Sequence, residues 1–331
     1  AHDDATDAPS PLPSPVLAAL GSDEPKAIIV GGGTLDSEGA ADAQAIAAAS
    51  GARLFTETFP PRIVRGGGRV SIEPIPYLGA AAADALQSVR QIILIGAAHP
   101  ASFFAYPGQP NDLTPAGATV TRLETGREGL SATLARLRTA IAAPPAAPSV
   151  SIAVPPFAPA SPLTAETIGQ VLAVALPDAA IVSDEATTAG PAIWAATRGA
   201  RTHDWLRLTG GAIGQGLPLA TGAALAAPGR RVVALQSDGA ALYTAQALWT
   251  QAREGLNVTT VLLNNRRYAI LAWEMVRLGL YRHQEATAPL FDLASPPLDF
   301  VALATGFGVS AVAATTTDEL AELLRDRKSV V

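Results

Sequence analysis

Two apolar strand-like runs, Arg231–Gln236 and Val258–Leu263, flank one helix-like segment, Ala241–Glu254. Neither run alternates polar with apolar residues. A strand that is apolar on both faces needs cover on both faces, as in a parallel sheet wrapped by helices. Parallel neighbours also need a long crossover, which the helix supplies. The same unit recurs along the chain. Further strands are expected at Ala27–Val30, Arg53–Phe55, Gln91–Ile95, Ala118–Arg122 and Ala179–Ser183. Helices are expected at Glu38–Ser50, Gly79–Ser88, Arg127–Ile141, Ala165–Leu176 and Gly216–Ala226, and another begins near Ala269. Phe300–Thr305, Val309–Ala313 and Thr317–Leu324 continue the alternation. The expected class is α/β, with two doubly wound parallel-sheet domains.

A Pro/Ala-rich stretch divides the two. The expected layout is a middle domain over 1–142 with a disordered or linker start at 1–24, a linker at 143–163, and a second domain over 164–325. Thr164 is a natural N-cap for the helix that opens the second domain. The last residues, 326–331, read like one frame of a sequencing adapter and are set aside as an artefact. The start at Ala1 without an initiator Met leads us to expect a piece of a longer protein.

Net charge is −6 with no basic run, which argues against a nucleic-acid footprint or a surface made for anionic lipid. There is no Cys, so disulfides and thiolate metal sites are excluded. No apolar run reaches the roughly 18 residues of a membrane span. Nothing near the start has the form of a signal peptide. A cytoplasmic protein that needs neither nucleic acid nor membrane is the default expectation.

In doubly wound sheets, ligands sit outside the carboxyl ends of the strands. Three loops lie at such ends: Ser183–Thr188, Ser237–Gly239 and Asn264–Arg267. A hard cation such as Mg²⁺ wants carboxylate, amide and carbonyl oxygens. Asp238 offers a carboxylate and Asn265, 27 positions on, an amide oxygen. Gly239 allows close backbone approach, and N–H groups where the next helix begins can hold diphosphate oxygens.

Ser237-Asp238-Gly239 followed by Asn264-Asn265 resembles the thiamine-diphosphate motif, Gly-Asp-Gly then Asn-Asn, with Ser in place of the first Gly. Leu208–Tyr268 is similar to the thiamine-diphosphate-dependent 2-oxo acid decarboxylases and carboligases, among them acetolactate synthases and benzoylformate decarboxylase. The likeness extends back to about Ala27 and covers that family's middle and C-terminal domains. It implies thiamine diphosphate and Mg²⁺ as cofactors. Asp238, Asn265 and the Arg267 carbonyl would hold the metal. Gly239 and Ala240 would donate N–H groups to the diphosphate. Asp184-Glu185-Ala186-Thr187-Thr188 matches the family's other diphosphate loop, so Glu185, Ala186, Thr187 and Thr188 are expected at the cofactor, as is Tyr268. In Gly210–Pro218, Gly211 would present its carbonyl to the pyrimidine amino group. Ala212 lies beside it, and Ile213 would be the apolar wedge that bends the cofactor.

The resemblance also implies a reaction. A 2-oxo acid loses carbon dioxide, and the remainder is released as an aldehyde or joined to a second carbonyl compound. The family starts this with a Glu on an N-terminal domain, reaching the cofactor across a dimer interface. No segment here resembles that domain, so this chain is expected to be inactive alone and to belong to a homodimer or homotetramer. Phe103 aligns with a catalytic His of benzoylformate decarboxylase, while Ile270, Leu271 and Glu274 would face the substrate. His99 lies near Phe103 but out of phase. Gly31-Gly32-Gly33 resembles a nucleotide loop without the full Gly-x-Gly-x-x-Gly pattern, so FAD is possible but not supported. The alternatives are a benzoylformate-type 2-oxo acid decarboxylase and a non-catalytic paralogue that only binds the cofactor, with an oxidoreductase built on Gly31–Gly33 and a structural oligomerisation module as further rivals.

Overall fold

The computed structural model describes residues 11–33, 35–125, 128–147, 149–154, 156–280, 284–326 and 329–330. The chain divides into two compact units, one of residues 1–64 and 69–149, the other of 65–68 and 150–331.

The first unit carries β1 (Lys26–Val30), β2 (Arg53–Thr56), β3 (Arg62–Arg65, whose last residue counts with the second unit), β4 (Glu73–Pro74), β5 (Gln91–Ile95) and β6 (Thr119–Leu123). Its sheet runs β4-β2-β1-β5-β6, with every pair parallel. β1 is buried along its whole length, as its unbroken apolar run requires. Helices Ser37–Ser50 and Gly79–Leu86 provide crossovers, and Gly129–Ala140 follows the last strand. The first of them starts cleanly because the Asp36 side chain accepts from Gly39 N–H at 2.8 Å. It stops at Gly51, whose φ of 69° is left-handed. Ala27, Ile29, Leu86, Ile92 and Leu94 form the core on one face.

The expected linker over 1–24 is corrected in part. Ser14–Gly21 is a helix with Pro15 in its first turn, and it buries Val16, Ala19 and Leu20. A proline there loses no hydrogen bond, since the first N–H groups of a helix are unpaired anyway. Residues 1–10 lie outside the described residues.

The second unit carries β7 (Ala180–Glu185), β8 (His203–Leu206), β9 (Val232–Ser237), β10 (Val258–Leu263), β11 (Ala311–Val312) and β12 (Ser329–Val330). Their order is β11-β12-β10-β9-β7-β8, again parallel. The chain direction across the sheet reverses between β7 and β9, so their carboxyl ends open a crevice. β9 is buried at every position. Ile181, Leu217, Ala220, Val232, Ala234 and Leu248 form one core beneath it, each large apolar side chain contributing roughly 1.5–3 kcal/mol by burial.

Three sequence expectations change here. The helix placed at Ala241–Glu254 starts earlier and is broken, as Asp238–Thr244 and Ala247–Arg253. At the break, Leu248 and Trp249 N–H groups donate to Ala245 and Gln246, the tighter i to i+3 pattern. The Pro-rich stretch is extended but not free. Within the second unit, Ala160 N–H donates to Asp318 at 2.8 Å, and the Thr317 hydroxyl donates to the Ala158 carbonyl at 2.8 Å. The terminal residues set aside as an artefact supply backbone to the sheet, since Ser329 and Val330 pair with Ala311 and Val312, and Val330 with Val261. Arg327, Lys328 and Val331 lie outside the described residues.

Candidate active site

Asp238 is the first residue after β9 and is only 2% exposed. Ser237 before it is extended, with φ −77° and ψ 149°, a conformation open to any residue. The Ser in place of Gly therefore leaves the turn intact. The Asp238 carboxylate accepts from Gly239 N–H at 2.8 Å and from Arg266 N–H at 2.6 Å. Burial pushes its carboxyl above its ordinary pKa, opposed by these N–H groups and that of Arg267.

The loop after β10 is shaped to meet it. Asn265 Oδ1 accepts from Arg267 N–H at 3.0 Å, a local Asn turn. Arg266 sits at φ +59°, a left-handed conformation that costs roughly 1–3 kcal/mol outside glycine. Its N–H is the one Asp238 accepts, so the carboxylate and the strained turn hold each other. Among the described residues no three His, Cys, Asp or Glu side chains gather at a point. A cation here would meet a mixed oxygen set: a buried carboxylate, the amide of Asn265 and a loop carbonyl. That set suits a hard cation, and a desolvated carboxylate favours taking one up.

Tyr268 closes one side. A Cβ placed on Gly239 would lie 2.4 Å from the Tyr268 ring, so glycine is what lets this ring lie against the backbone.

The β7 loop divides its labour differently from the sequence expectation. Ala186 N–H donates to Asp184 Oδ1 at 3.1 Å, and Trp205 Nε1–H donates to Asp184 Oδ2 at 3.0 Å. Thr187 lies at φ +47°, a genuine outlier for a β-branched residue. Thr187 and Thr188 are half-buried and follow the end of β7. Glu185, expected at the cofactor, points inward instead and is 1% exposed. It accepts from Gly214 and Gly216 N–H groups and from the Gln236 side-chain amide. Its carboxylate is thus engaged within the fold.

Gly210 and Gly211 are both left-handed, at φ 63° and 64°. Gly211 N–H donates to Leu208, and the turn carries Ala212 and Ile213 outward. Ile213 is 43% exposed, which a core residue would not be. It is an apolar side chain held out from the turn. The helix Ala269–Arg277 follows Tyr268 and leaves Leu271 46% exposed and Ile270 half-buried. Glu274 pairs with Arg277 at 2.9 Å along the same helix, so its carboxylate is engaged within its own helix.

Phe103 lies in the first unit, in a cluster with Phe59, Tyr77 and Phe104 at ring-centroid distances of 5.1–5.5 Å for its nearest pairs. In the same unit, His99 Nε2 meets Asp112 at 2.9 Å and Thr114 at 3.1 Å. The Asp112 carboxyl is lowered to about 2 by hydrogen bonds from Thr114 and then His99. The Gly31–Gly33 loop is filled from within. Gly32 N–H donates to Glu57 Oε2 at 3.0 Å and Ala98 N–H to Oε1 at 2.7 Å.

Gln236, Trp205 and Thr244 were not expected at the site. Gln236 had a signal: an amide in the buried strand directly after the apolar run Val232–Leu235. Trp205 had none, because β8 reads His-Asp-Trp-Leu.

Comparison with known proteins agrees with this geometry. Residues 188–329 match the thiamine pyrophosphate enzyme C-terminal TPP binding domain. The chain is 45% identical to IlvX of Mycobacterium tuberculosis, a protein named for the acetolactate synthase large subunit, over 94% of this chain and 60% of that protein. It is 35% identical to a benzoylformate decarboxylase of Pseudomonas aeruginosa over 50% of this chain and 30% of the other. In three dimensions it superposes on a thiamine diphosphate-dependent 4-hydroxybenzoylformate decarboxylase of Rhodococcus jostii RHA1 with a TM-score of 0.71 at 22% identity, covering 95% of this chain and 62% of that one. The chain thus spans about 60% of the length of the relative matched over most of it.

Proposed function

We propose, starting from a chain whose residues 188–329 belong to the C-terminal cofactor-binding domain family of thiamine pyrophosphate enzymes, that this protein binds thiamine diphosphate through Mg²⁺ and serves a reaction of 2-oxo acids. The observation that carries it is the buried Asp238 carboxylate joined to the Asn265–Arg267 loop. Asp238, Asn265 and the Arg267 carbonyl hold the metal. Gly239, Ala240, Thr187 and Thr188 hold the diphosphate, with Tyr268 beside it. The cofactor, when bound, supplies a nucleophilic carbon and an electron sink for cleaving the bond next to a carbonyl. This chain's part would be to fix the orientation of the ring, from which the Gly211 carbonyl would accept a hydrogen bond and against which the Ile213 side chain would pack. Leu271 and Ile270, on the helix after Tyr268, would present apolar side chains to the substrate.

Acetolactate synthase-like decarboxylation with carboligation is the first reading, supported by 45% identity to IlvX across 94% of the chain. A benzoylformate-type decarboxylase is the second, supported by the apolar Leu271 and the shorter match to that enzyme. With either reading goes the proposal of a cytoplasmic homodimer or homotetramer. The activating Glu of the resembled family matches no residue of this chain, so the 331 residues bind the cofactor without turning over a 2-oxo acid alone. Among the described residues no helix is long and apolar enough to cross a membrane.

The test is thermal unfolding with Mg²⁺, thiamine diphosphate, or both. Joint addition should raise Tm where either alone does not, because a ligand that binds only the folded state stabilises it. No joint effect overturns the reading, and 2-oxo acid turnover by the purified chain overturns the claim that it is inactive alone.

A further inference from the structure

We propose that Glu185 is a positioning residue: it sets the Gly211–Ile213 turn and the end of β9 in one fixed relation and does not itself touch the ligand. The inference rests on the cofactor reading above. Its carboxylate faces three donors from two separate parts of the chain. Oε1 accepts from Gly214 N–H at 2.5 Å, and Oε2 accepts from Gly216 N–H at 2.8 Å and Gln236 Nε2 at 2.9 Å. These take three of a carboxylate's roughly four acceptor positions.

Each donor leads directly to a functional group. Gly214 follows Ile213, and its carbonyl is held from the other side by the Thr244 hydroxyl at 2.7 Å. Thr244 ends the helix that Asp238 begins. Gly216 lies so close that a Cβ there would come within 2.7 Å of Glu185 and 2.5 Å of Gln236 Oε1. Gln236 stands two residues before Asp238, is fully buried, and its Oε1 has no hydrogen-bond partner. Its amide is therefore oriented by Glu185. One carboxylate at the end of β7 thus joins the wedge turn to the metal-side strand. Charge-assisted hydrogen bonds in a buried site are the strong kind, and a buried network is rigid when its donors are paired.

The test is a charge exchange. Glu185→Gln sets an amide N–H₂ against backbone donors. Gln236→Glu alone sets a second carboxylate against the first. The double variant E185Q/Q236E returns one carboxylate and one amide to the cluster with their places exchanged. Two quantities are measured: thiamine diphosphate Kd at saturating Mg²⁺, and hydrogen exchange of the Gly214 and Gly216 amides without cofactor. E185Q should weaken binding and speed exchange by about 10-fold or more, the scale of one hydrogen bond to a charged group. The double variant restores the carboxylate–amide pair but leaves an amide at position 185 facing the Gly214 and Gly216 donors, so it should recover Tm while binding and exchange stay as altered as in E185Q. A purely structural role predicts a lower Tm in each variant with Kd unchanged. Wild-type Kd and exchange in E185Q overturns the proposal, as does a double variant with wild-type Kd and Gly214 exchange. If E185Q does not fold, a folded double variant with fast Gly214 exchange and weakened binding supports the proposal, and one that is unfolded, or that exchanges slowly and binds as wild type, overturns it. If the wild-type chain does not bind thiamine diphosphate, the cofactor reading fails, and the exchange measurement alone decides the role of Glu185.

Discussion

The Asp238 carboxylate, at the end of β9, accepts the Arg266 backbone N–H at 2.6 Å and so ties the loop after β10 to the loop after β9. This carboxylate is held above its ordinary pKa by burial. The neutral form is therefore favoured by folding. That contribution is full below the unfolded Asp value and is lost as pH rises through the folded one. Asp238→Asn should raise the Tm of the cofactor-free protein at neutral pH, with the gain vanishing in acid. Cation binding needs the ionised form. Stabilisation by Mg²⁺ with thiamine diphosphate should accordingly grow as pH rises through the same window, and D238N should abolish it. A pH series of melting curves with and without both ligands checks each part.

Gly239 faces the Tyr268 ring at a distance no side chain can share, 2.4 Å from a Cβ. Gly239→Ala should displace the ring and weaken cofactor binding by about 10-fold or more, since overpacking of this kind costs roughly 1–3 kcal/mol. Adding Tyr268→Ala should relieve the clash and restore the thermal stability that G239A loses. Titration by fluorescence quenching, with melting curves of both variants, reads the two effects separately.

Trp205 reaches Asp184 through its indole N–H at 3.0 Å. Trp205→Phe keeps the ring in its place against Trp194, whose centroid is 5.3 Å away, and removes the hydrogen bond. The left-handed Thr187 two residues beyond Glu185 then loses part of its support. Binding of thiamine diphosphate should fall by about 10-fold, as expected for one hydrogen bond to a charged acceptor. Calorimetric titration of wild type and W205F at equal Mg²⁺ checks this.

His203 is lowered to about 4, first by burial. Its Nδ1 meets the Arg201 carbonyl at 2.7 Å, while Nε2 is buried without a partner. A depressed folded pKa contributes stability that is present above the unfolded value near 6.5 and lost as pH falls towards the folded value. Between pH 7 and pH 5 the protein should lose about 2 kcal/mol through this group. His203→Asn should flatten that part of the curve. Urea denaturation at the two pH values measures the difference.

The strands that define both sheets were legible because they are uninterrupted apolar runs: Ala27–Val30, Gln91–Ile95, Arg231–Gln236 and Val258–Leu263 all lie within or beside observed strands. β8 was not, because its polar residues are made compatible with burial by partners far away in sequence. Asp204 pairs with Arg230 at 2.5 Å and Trp205 with Asp184. β3 has the same difficulty, being bounded by Arg62 and Arg65. Arg65 is buried, stacked 3.5 Å over the Trp194 ring. No local pattern announces a guanidinium in a core. At the site, Asp238, Gly239 and Asn265 stood out as a motif. The inward turn of Glu185 did not, because side-chain direction at a strand end depends on which donors the neighbouring loops bring.

The strap that joins the Pro-rich stretch to the last long helix sets an order of assembly. Ala160 waits for Asp318, 158 residues later. At a synthesis rate of about 5–20 residues per second, roughly 8–30 s separate the two on the ribosome. During that interval the second sheet has β7, β8, β9 and β10 to pair, while its fastening has not yet been made. Slow translation across residues 164–316 would lengthen the exposure of that half-closed intermediate to proteases and to neighbouring chains.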